Sequence, residues 1–226
     1  MVAPGKLEEE YRNKYQDPRF AAEYAKDVSP PTTLRGILNL RRSLGWFISL
    51  QERWAVARLV KRSRHTGRAI DLPCGNGKLN RIWRRDQQIV GADSSRWMLD
   101  RFVRNGGEEA VLADARQLPF RNQVFQLVIC HRFLHRFPGP SRIQLLTELR
   151  RVSSNWGIVY YAVIHEGLGW SARISRRLNL TPKTGVFSCT LGSVRRELEE
   201  TGWRVRAEAA IFVGMSAGHV FLVQRT

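Results

Sequence analysis

The sequence predicts an α/β protein with a doubly wound, mostly parallel sheet of seven strands and a helical extension at its N-terminus. From residue 68 onward, short apolar runs alternate with segments whose apolar residues repeat at helical spacing. Such repeated strand–helix units imply right-handed crossovers, which place helices on both faces of one sheet. Residues 1–66 lack this alternation and are helical in composition after a break at Pro30-Pro31. We therefore expect a cap or extension over 1–66 and a sheet domain over 67–226.

Apolar runs predict the strands. Apolar residues at helical spacing, bounded by capping residues, predict the helices. Helices are expected after the glycine loop at Leu79, Ile82 and Trp83, after an N-cap at Ser94 or Ser95, after 138–140, and over 191–201. The second of these should stop at 105–107, and a long polar connection should occupy 165–188. The predicted strands are 68–72, 89–93, 110–114, 124–130, 156–164, 203–213 and 219–224, of which the last two form an antiparallel pair.

The helical extension carries one apolar stripe at i, i+3, i+7 and i+10, accompanied by basic residues. One interpretation is a helix that packs this stripe on the sheet and leaves its arginines in solvent. The other is a basic amphipathic face that rests on anionic lipid or nucleic acid, and Arg41-Arg42 followed by Trp46-Phe47 suits the lipid version. The stripe consists of Phe47, Leu50, Trp54 and Ala57, and the basic residues are Arg53, Arg58, Lys61, Arg62 and Arg64.

The amino-acid composition limits which binding partners and which cellular compartment we expect for this protein. A formal net charge of +17 favours anionic partners such as RNA, DNA or acidic phospholipid headgroups, unless the chain simply belongs to a proteome rich in arginine. Three widely spaced cysteines argue against a disulfide framework and indicate a reducing compartment. Because the sequence shows neither a membrane-spanning window nor a signal peptide, we expect a cytoplasmic protein, with the inner face of a membrane as a further expected location.

Acidic residues end three of the predicted strands, where an open parallel sheet binds its ligand. Asp71 precedes a loop with Gly75 and Gly77, whose backbone can approach a ligand closely. Asp93 follows 22 residues later, near the spacing of about 20 at which an acid accepts both ribose hydroxyls. Asp114 ends the third strand and can face an adenine. The arrangement predicts a nucleoside site.

The sequence of the glycine loop also limits the class of nucleotide ligand that fits the site. It has no third glycine of a dinucleotide fingerprint and no Gly-Lys-Ser/Thr ending of a phosphate-binding loop. A nucleoside without a phosphate chain therefore fits better than NAD or ATP, and a sulfonium-bearing nucleoside has that profile.

These segments resemble the successive motifs of class I S-adenosylmethionine-dependent methyltransferases, most closely the group around the ubiquinone and menaquinone biosynthesis enzymes. The resemblance implies a Rossmann-like methyltransferase fold, an S-adenosylmethionine-binding domain over 67–226, and methyltransferase activity. Two segments depart from the family pattern: Gln126 replaces an acid, and 153–157 replace a Pro-Gly-Gly. The motifs are 71–77, 91–95 with Met98-Leu99, 113–120, 124–130, 134–135 and 147–152.

The resemblance also implies roles for individual residues. Asp71 and the backbone of 73–77 (Pro73, Cys74, Gly75 and Gly77) would hold the methionine end of the cofactor. Asp93 and Ser94 would lie at the ribose, Met98 near the adenine, and Asp114 and Ala115 at the adenine edge. His131 would border the donor methyl group. Cys74 is expected to act as a small residue in the loop and not as a nucleophile. No metal is expected.

The residues offer few groups for chemistry on the acceptor. In-line methyl transfer needs alignment, and a base only where the acceptor must lose a proton. Candidate bases are His131, His135 and His165, with His131 favoured because a histidine such as His135 in an apolar turn is more often packed in the core. Arg53 and Tyr24 are candidates to close over the cofactor from the N-terminal segment.

Three functions remain open from the sequence. The first is methyl transfer to a small-molecule or lipid-like acceptor, with an anionic membrane surface as a partner. The second is an RNA methyltransferase, which the charge favours, although Cys130-His-Arg-Phe133 stands where an Asn-Pro-Pro-Tyr-like element would follow the fourth strand. The third is a non-catalytic homologue that keeps the fold to bind a protein partner.

Overall fold

The fold is a seven-stranded α/β sheet with helices on both faces. The computed structural model describes residues 13–19, 40–83, 87–163, 187–213 and 216–226. The longer helices of the described residues are α1 (Leu40–Ser63), α2 (Arg96–Arg104), α3 (Gly139–Val152) and α4 (Leu191–Glu200), with single 3-10 turns at Asn80–Ile82 and Leu134–Arg136. Short helical stretches also occur at 13–16 and 18–19. The strands are β1 (Ala69–Asp71), β2 (Ile89–Asp93), β3 (Glu109–Leu112), β4 (Phe125–Cys130), β5 (Ser153–Val163), β6 (Trp203–Val213) and β7 (Ser216–Arg225).

The strand order is β3-β2-β1-β4-β5-β7-β6, which confirms the predicted fold class. Strands β1 to β5 pair in parallel, and β7 pairs antiparallel with both β5 and β6. In register, Asp71 at the end of β1 lies between Gly91 of β2 and Ile129 of β4. The carboxyl ends of the central strands therefore converge at one edge, as the sequence predicts.

Two apolar layers cover the sheet. On one face, α3 and α4 pack Leu146, Val152 and Leu198 against sheet residues that include Ile70 and Val128. On the other face, α1 packs Val56, Leu59 and Val60 against β1, β4, β5 and β7. Both layers consist of residues that are almost fully buried. This arrangement is the doubly wound packing that repeated strand–helix units predict.

Of the two interpretations of α1, the one in which the stripe with Phe47 and Trp54 packs on the sheet is wrong. Trp54 is 73% exposed and Phe47 51% exposed, while Leu50 and Ala57 are only half-buried. The packed face lies on the opposite side of the helix, because a second stripe repeats at the same spacing and meets β6 and β7. That buried face consists of Ser49, Glu52, Val56, Leu59, Val60 and Ser63.

The helix expected after the glycine loop is, in the described residues, a single 3-10 turn at Asn80–Ile82. Its backbone bonds run from Asn80 N to the Gly77 carbonyl and from Ile82 N to the Leu79 carbonyl, which is 3-10 spacing. The Asn80 side chain donates instead to the carbonyls of Phe102 and Asn105, at 3.0 and 3.2 Å. These two bonds hold the turn against the end of α2.

Most other predicted boundaries agree within a few residues. Ser95 is the N-cap of α2, since its side chain accepts from the backbone N–H of Met98, and the helix ends at Asn105. The altered segment 153–157 forms the beginning of β5. The predictions for Tyr24, Pro30-Pro31, His165 and most of the 165–188 connection lie outside the described residues. None of the described helices combines the length and apolar composition needed to cross a bilayer.

Candidate functional site at the carboxyl ends of the strands

A deep pocket opens where β1, β2 and β4 end. Ten of the twelve residues predicted to bind the cofactor line it, so residues from five separate segments meet in one cavity. Two predicted residues, Gly77 and Arg53, do not line it. The ten are Asp71, Pro73, Cys74, Gly75, Asp93, Ser94, Met98, Asp114, Ala115 and His131.

Asp93 fixes the glycine loop against β2. Its Oδ2 accepts from the backbone N–H of Gly75 at 3.0 Å, and its Oδ1 accepts from the N–H of Ser95 at 2.9 Å. Burial raises the pKa of Asp93 to about 6, and these backbone donors oppose that rise. Each carboxylate oxygen has a second lone pair, so the group can also accept from a ligand hydroxyl.

Asp71 is a buried acid with a carboxyl oxygen that lacks a hydrogen-bond partner among the described residues. It is 1% exposed, and its Oδ1 has no hydrogen-bond partner among them. Burial, and next the charge of Asp93, raise the pKa of Asp71 to about 8. A buried carboxyl group without a partner is expensive, and a bound cation in the adjoining pocket would remove that penalty.

The glycine loop itself has the conformation that glycine permits. Gly75 and Gly77 have φ of 53° and 77°, in the left-handed region that other residues rarely adopt. A Cβ at Gly75 would meet no atom within 4 Å, so this part of the loop is open toward the pocket. Cys74, between Pro73 and Gly75, is buried, and burial raises the pKa of its thiol. The thiol is thus kept protonated, in line with its expected role as a small loop residue.

At the third strand end, Asp114 is held by its own neighbour. Arg116 donates to it from Nε at 3.2 Å and from Nη2 at 2.8 Å, and the backbone N–H of Arg116 also bonds to Oδ1. Ala115 and Met98 are almost fully buried and give this end of the pocket an apolar wall. An acid beside an apolar wall suits the edge and face of a flat heterocycle.

Tyr15, which the sequence did not single out for this site, lines the pocket from the N-terminal segment. The Tyr15 carbonyl accepts from Ser95 Oγ at 2.6 Å, and Gln16 Nε2 donates to the Ser94 carbonyl at 2.7 Å. The Tyr15 ring lies 5.5 Å from the guanidinium carbon of Arg136, a cation–π contact. Of the two residues expected to close over this site, Arg53 does not line the pocket, and Tyr24 lies outside the described residues.

His131 lies at the end of β4 and borders the pocket, beside a buried acid from α1. The His131 Nε2 is 3.9 Å from Glu52 Oε2 and has no hydrogen-bond partner among the described residues. Glu52 also approaches Arg132 Nη1 at 3.4 Å. Burial, followed by the charges of Arg132 and Lys78, keeps the pKa of His131 well below its ordinary value. The imidazole is therefore neutral at pH 7 and able to accept a proton.

His135, the second candidate base, does not line the pocket. It is buried in the 3-10 turn after β4, and its ring lies 5.4 Å from that of Tyr160. The Tyr160 ring is also 5.4 Å from that of His131 and so lies beside both histidines. Burial lowers the pKa of His135 as well. Its position favours a packing role, the alternative that the sequence also suggests.

The pocket lining also includes aromatic and cationic side chains from the segment that follows His131 in the chain, which we call the second part of the pocket. Phe133 and Phe137 contact each other edge to face, with ring centroids 4.7 Å apart. The cationic residues that line the pocket are Lys78, Arg116, Arg132 and Arg136. This composition suits a ligand that has both an apolar body and negative charge.

Comparison with known proteins places the described site in context. Residues 69–157 match the family model described as "Methyltransferase domain". This methyltransferase segment contains every predicted cofactor residue except Arg53. It covers less than half of the chain, from β1 into β5.

Solved structures share the fold of the methyltransferase segment and its surroundings. Magnesium protoporphyrin IX methyltransferase from Synechocystis PCC 6803, with bound SAH, is similar with a TM-score of 0.78 and 16% identity, over 97% of this chain and 100% of that chain. A SAM-dependent methyltransferase from Methanosarcina mazei is similar with a TM-score of 0.61 and 16% identity, over 74% and 96% of the two chains. At such identities the likeness shows the fold.

One curated human protein, named "Probable tRNA methyltransferase 9B", matches a shorter segment. It is 31% identical over 110 residues, which are 47% of this chain. The match spans about a quarter of that protein's length, 24%. The family match and the shared fold together support an S-adenosylmethionine-dependent methyltransferase, with S-adenosylmethionine as its cofactor.

Proposed function

We propose that this protein transfers the methyl group of S-adenosylmethionine to a small-molecule or lipid-like acceptor that joins an apolar body to an anionic group. The observation that carries the proposal is the two-part pocket. One part has Asp71, Asp93 and Asp114 at three strand ends, and the other has Phe133, Phe137 and cationic side chains. His131 also lines the pocket.

The first part fits the cofactor. S-adenosylmethionine carries an ammonium and a sulfonium, and the Oδ1 of Asp71 is a buried acceptor for which the described residues provide no donor. Asp93 has lone pairs left for ribose hydroxyls, and Asp114 and Ala115 border the space for an adenine. When bound, the cofactor supplies an electrophilic methyl group on a positively charged sulfur.

The chain supplies alignment and a place for one proton. His131 is neutral and lines the pocket, so it can accept a proton from an acceptor hydroxyl. Glu52 Oε2 lies 3.9 Å from His131 Nε2, close enough for its carboxylate to stabilise the imidazolium that results. An acceptor that is already ionised would need no base.

The second part supports the acceptor class. Phe133 and Phe137 offer aromatic faces to an apolar body, and Arg132 and Arg136 offer charge-assisted hydrogen bonds to carboxylate, phosphate or phenolate oxygens. A phenolic ring of the quinone-precursor type belongs to this acceptor class. The proposal therefore agrees with the resemblance to the ubiquinone and menaquinone biosynthesis enzymes.

Equilibrium binding of S-adenosylmethionine to the full chain, measured by calorimetry, tests the cofactor half. Asp93→Ala should weaken binding at least about tenfold, because a charge-assisted hydrogen bond contributes about 1.5–3 kcal/mol. Asp100→Ala removes an exposed acid of α2 and is the matched control. Binding that is absent, or equal in the two variants, would overturn the assignment of the site.

Transfer of labelled methyl groups to paired acceptors tests the acceptor half. The pairs should share one apolar body, with a free carboxylate, phosphate or phenol in one member and its neutral ester or ether in the other. We expect turnover or competitive inhibition with the anionic members only. Arg136→Gln should raise KM for these acceptors more than it lowers kcat. Preference for the neutral members would contradict the proposed acceptor class.

A second candidate function is RNA methylation. The similarity to a human protein named as a probable tRNA methyltransferase and the net charge of +17 favour it. Binding to RNA should then weaken steeply with salt, and labelled methyl groups should enter a tRNA pool. Label in tRNA and none in anionic small acceptors would select this function. Cofactor binding without turnover on either class, with a protein partner supplied, would select the non-catalytic alternative.

A further inference from the structure

The outward face of α1 combines exposed aromatic rings with basic side chains. Trp54 is the most exposed large apolar side chain of the described residues, at 73%, and Phe47 is 51% exposed. They are seven residues apart, about two turns, so they lie on one face about 10 Å apart along the axis. Arg58 and Lys61 follow Trp54 at i+4 and i+7 on the same face and are exposed.

Negative charge is absent from this outward face. The sequence of α1 contains one acid, Glu52, and that residue is 2% exposed on the face that packs against the sheet. The basic residues of the last turn, Lys61 and Arg62, are exposed instead. The outward face therefore has a positive electrostatic potential and also exposes apolar aromatic rings. We call Phe47, Trp54, Arg58, Lys61 and Arg62 the aromatic–basic face.

We propose that the aromatic–basic face binds the surface of an anionic phospholipid membrane. Charge complementarity selects the headgroups, since each Lys or Arg near an anionic bilayer contributes about 1 kcal/mol. The rings select the interface, because Trp and Phe side chains on a helix that lies on the bilayer enter the headgroup region. The proposal does not depend on which acceptor is methylated.

The rest of the helix supports a lipid partner. Because α1 packs its other face firmly on β6 and β7, it can lie on a flat surface without leaving the domain. The same helix places Glu52 beside His131 and Arg132. A membrane on its outer face would thus lie one helix diameter from the second part of the pocket, about 10 Å. Single-stranded RNA could also stack on Trp54, so RNA binding serves as the opposing outcome.

Co-sedimentation with vesicles tests the proposal on the full chain. The vesicles are made of phosphatidylcholine alone or of phosphatidylcholine mixed with phosphatidylglycerol, at low and high salt. The protein should bind only the mixed vesicles, and salt should weaken but not abolish binding, because the rings contribute an apolar part. Cofactor affinity measured on the same samples reports that each variant is folded.

Two variants and two matched controls distinguish vesicle binding by the aromatic–basic face from vesicle binding caused by the net charge of the protein. Phe47→Ala/Trp54→Ala and Arg58→Glu/Lys61→Glu should each weaken vesicle binding at least about tenfold. Trp97→Ala removes an exposed tryptophan of α2, 46% exposed, and should have little effect. Arg104→Glu/Arg121→Glu makes the same charge change at exposed positions outside α1.

The outcomes are distinct. Loss in the α1 variants alone supports the proposal. Equal loss in both charge-reversal variants would mean that the net charge binds vesicles without this face, which overturns it. Absence of vesicle binding overturns it as well. RNA binding that depends on Trp54 and exceeds vesicle binding would assign the face to nucleic acid. Each result leaves the methyl-transfer assays unaffected, so the two proposals fail separately.

Discussion

The carboxylate of Glu52, with its side chain 3% exposed, lies 3.4 Å from the guanidinium of Arg132. This contact joins the middle of α1 to the residue that follows β4 and His131. Arg132 has a φ of 54°, in the left-handed region, where a non-glycine residue is held only by its surroundings. Burial raises the pKa of Glu52, and the charges of Arg132 and Lys78 oppose that rise. The pair fixes the backbone of Arg132, which lines the pocket.

Glu52→Gln should lower the free energy of unfolding by no more than about 1 kcal/mol, because Arg132 is 37% exposed and the cost of burying the Glu52 charge offsets much of the attraction. Urea unfolding measures the change. The matched control is Glu200→Gln, which alters an exposed acid at the end of α4 and should change stability by less than about 0.5 kcal/mol. Equal stability of the two variants would show that the pair contributes nothing.

The affinity for S-adenosylmethionine should rise with pH between about 6 and 8. In the free protein the pKa of Asp71 is raised to about 8, so below that pH a proton competes with the cationic ligand for the carboxylate. The limit is about tenfold per pH unit for one proton. Calorimetry at pH 7 in two buffers should also detect proton release on binding.

Asp71→Asn should weaken binding and remove most of this pH dependence, since no proton then competes. Asp93, with a pKa raised to about 6, would still affect binding below that pH. A variant that keeps the full slope between 6 and 8 would show that another group titrates in the pocket.

Tyr15→Ala should weaken cofactor binding about three- to tenfold, because it removes the ring that covers the pocket and contacts Arg136. Tyr15→Phe keeps the ring and should bind almost as tightly as the original chain. The backbone bond from Ser95 Oγ to the Tyr15 carbonyl is available in both variants. Identical losses in the two variants would assign the effect to the hydroxyl.

Two glycines should respond to alanine in opposite directions. Gly45 lies inside α1, where a Cβ would meet nothing within 4 Å, so Gly45→Ala should stabilise the protein by about 0.5–1 kcal/mol. Gly91 lies in β2, where a Cβ would overlap the buried ring of Phe102. Gly91→Ala should destabilise it by about 1–3 kcal/mol. Thermal unfolding measures both, and a reversed order would contradict the packing of α2 on β2.

The sequence by itself determined the sheet and the three strand-end acids that line the pocket. Short buried strands can be recognised in the sequence as apolar runs. Parallel strands place their carboxyl ends at the same edge of the sheet, independently of the conformations of the connecting loops. The strand pattern alone therefore places Asp71, Asp93 and Asp114 at one edge of the sheet. The glycine loop is legible for the same reason, although the helix expected after it is a single 3-10 turn held by Asn80.

Only the tertiary structure decided which face of α1 is buried. Two stripes repeat at the same helical spacing, one with Phe47 and Trp54 and the other with Val56 and Leu59. Helical periodicity cannot choose between them, and it suggested the more aromatic stripe. Shape and contact with β6 and β7 selected the other and left Trp54 in solvent.

The residues that close the pocket also required the fold. Tyr15 meets Ser95, and Glu52 meets Arg132, each across 80 positions of the chain. No local pattern encodes such pairs, although a lone acid in a basic helix was a signal that could have drawn attention to Glu52. Local sequence specifies strands, turns and the acids at their ends, because these depend on near neighbours. Contacts between distant segments depend on how the layers pack.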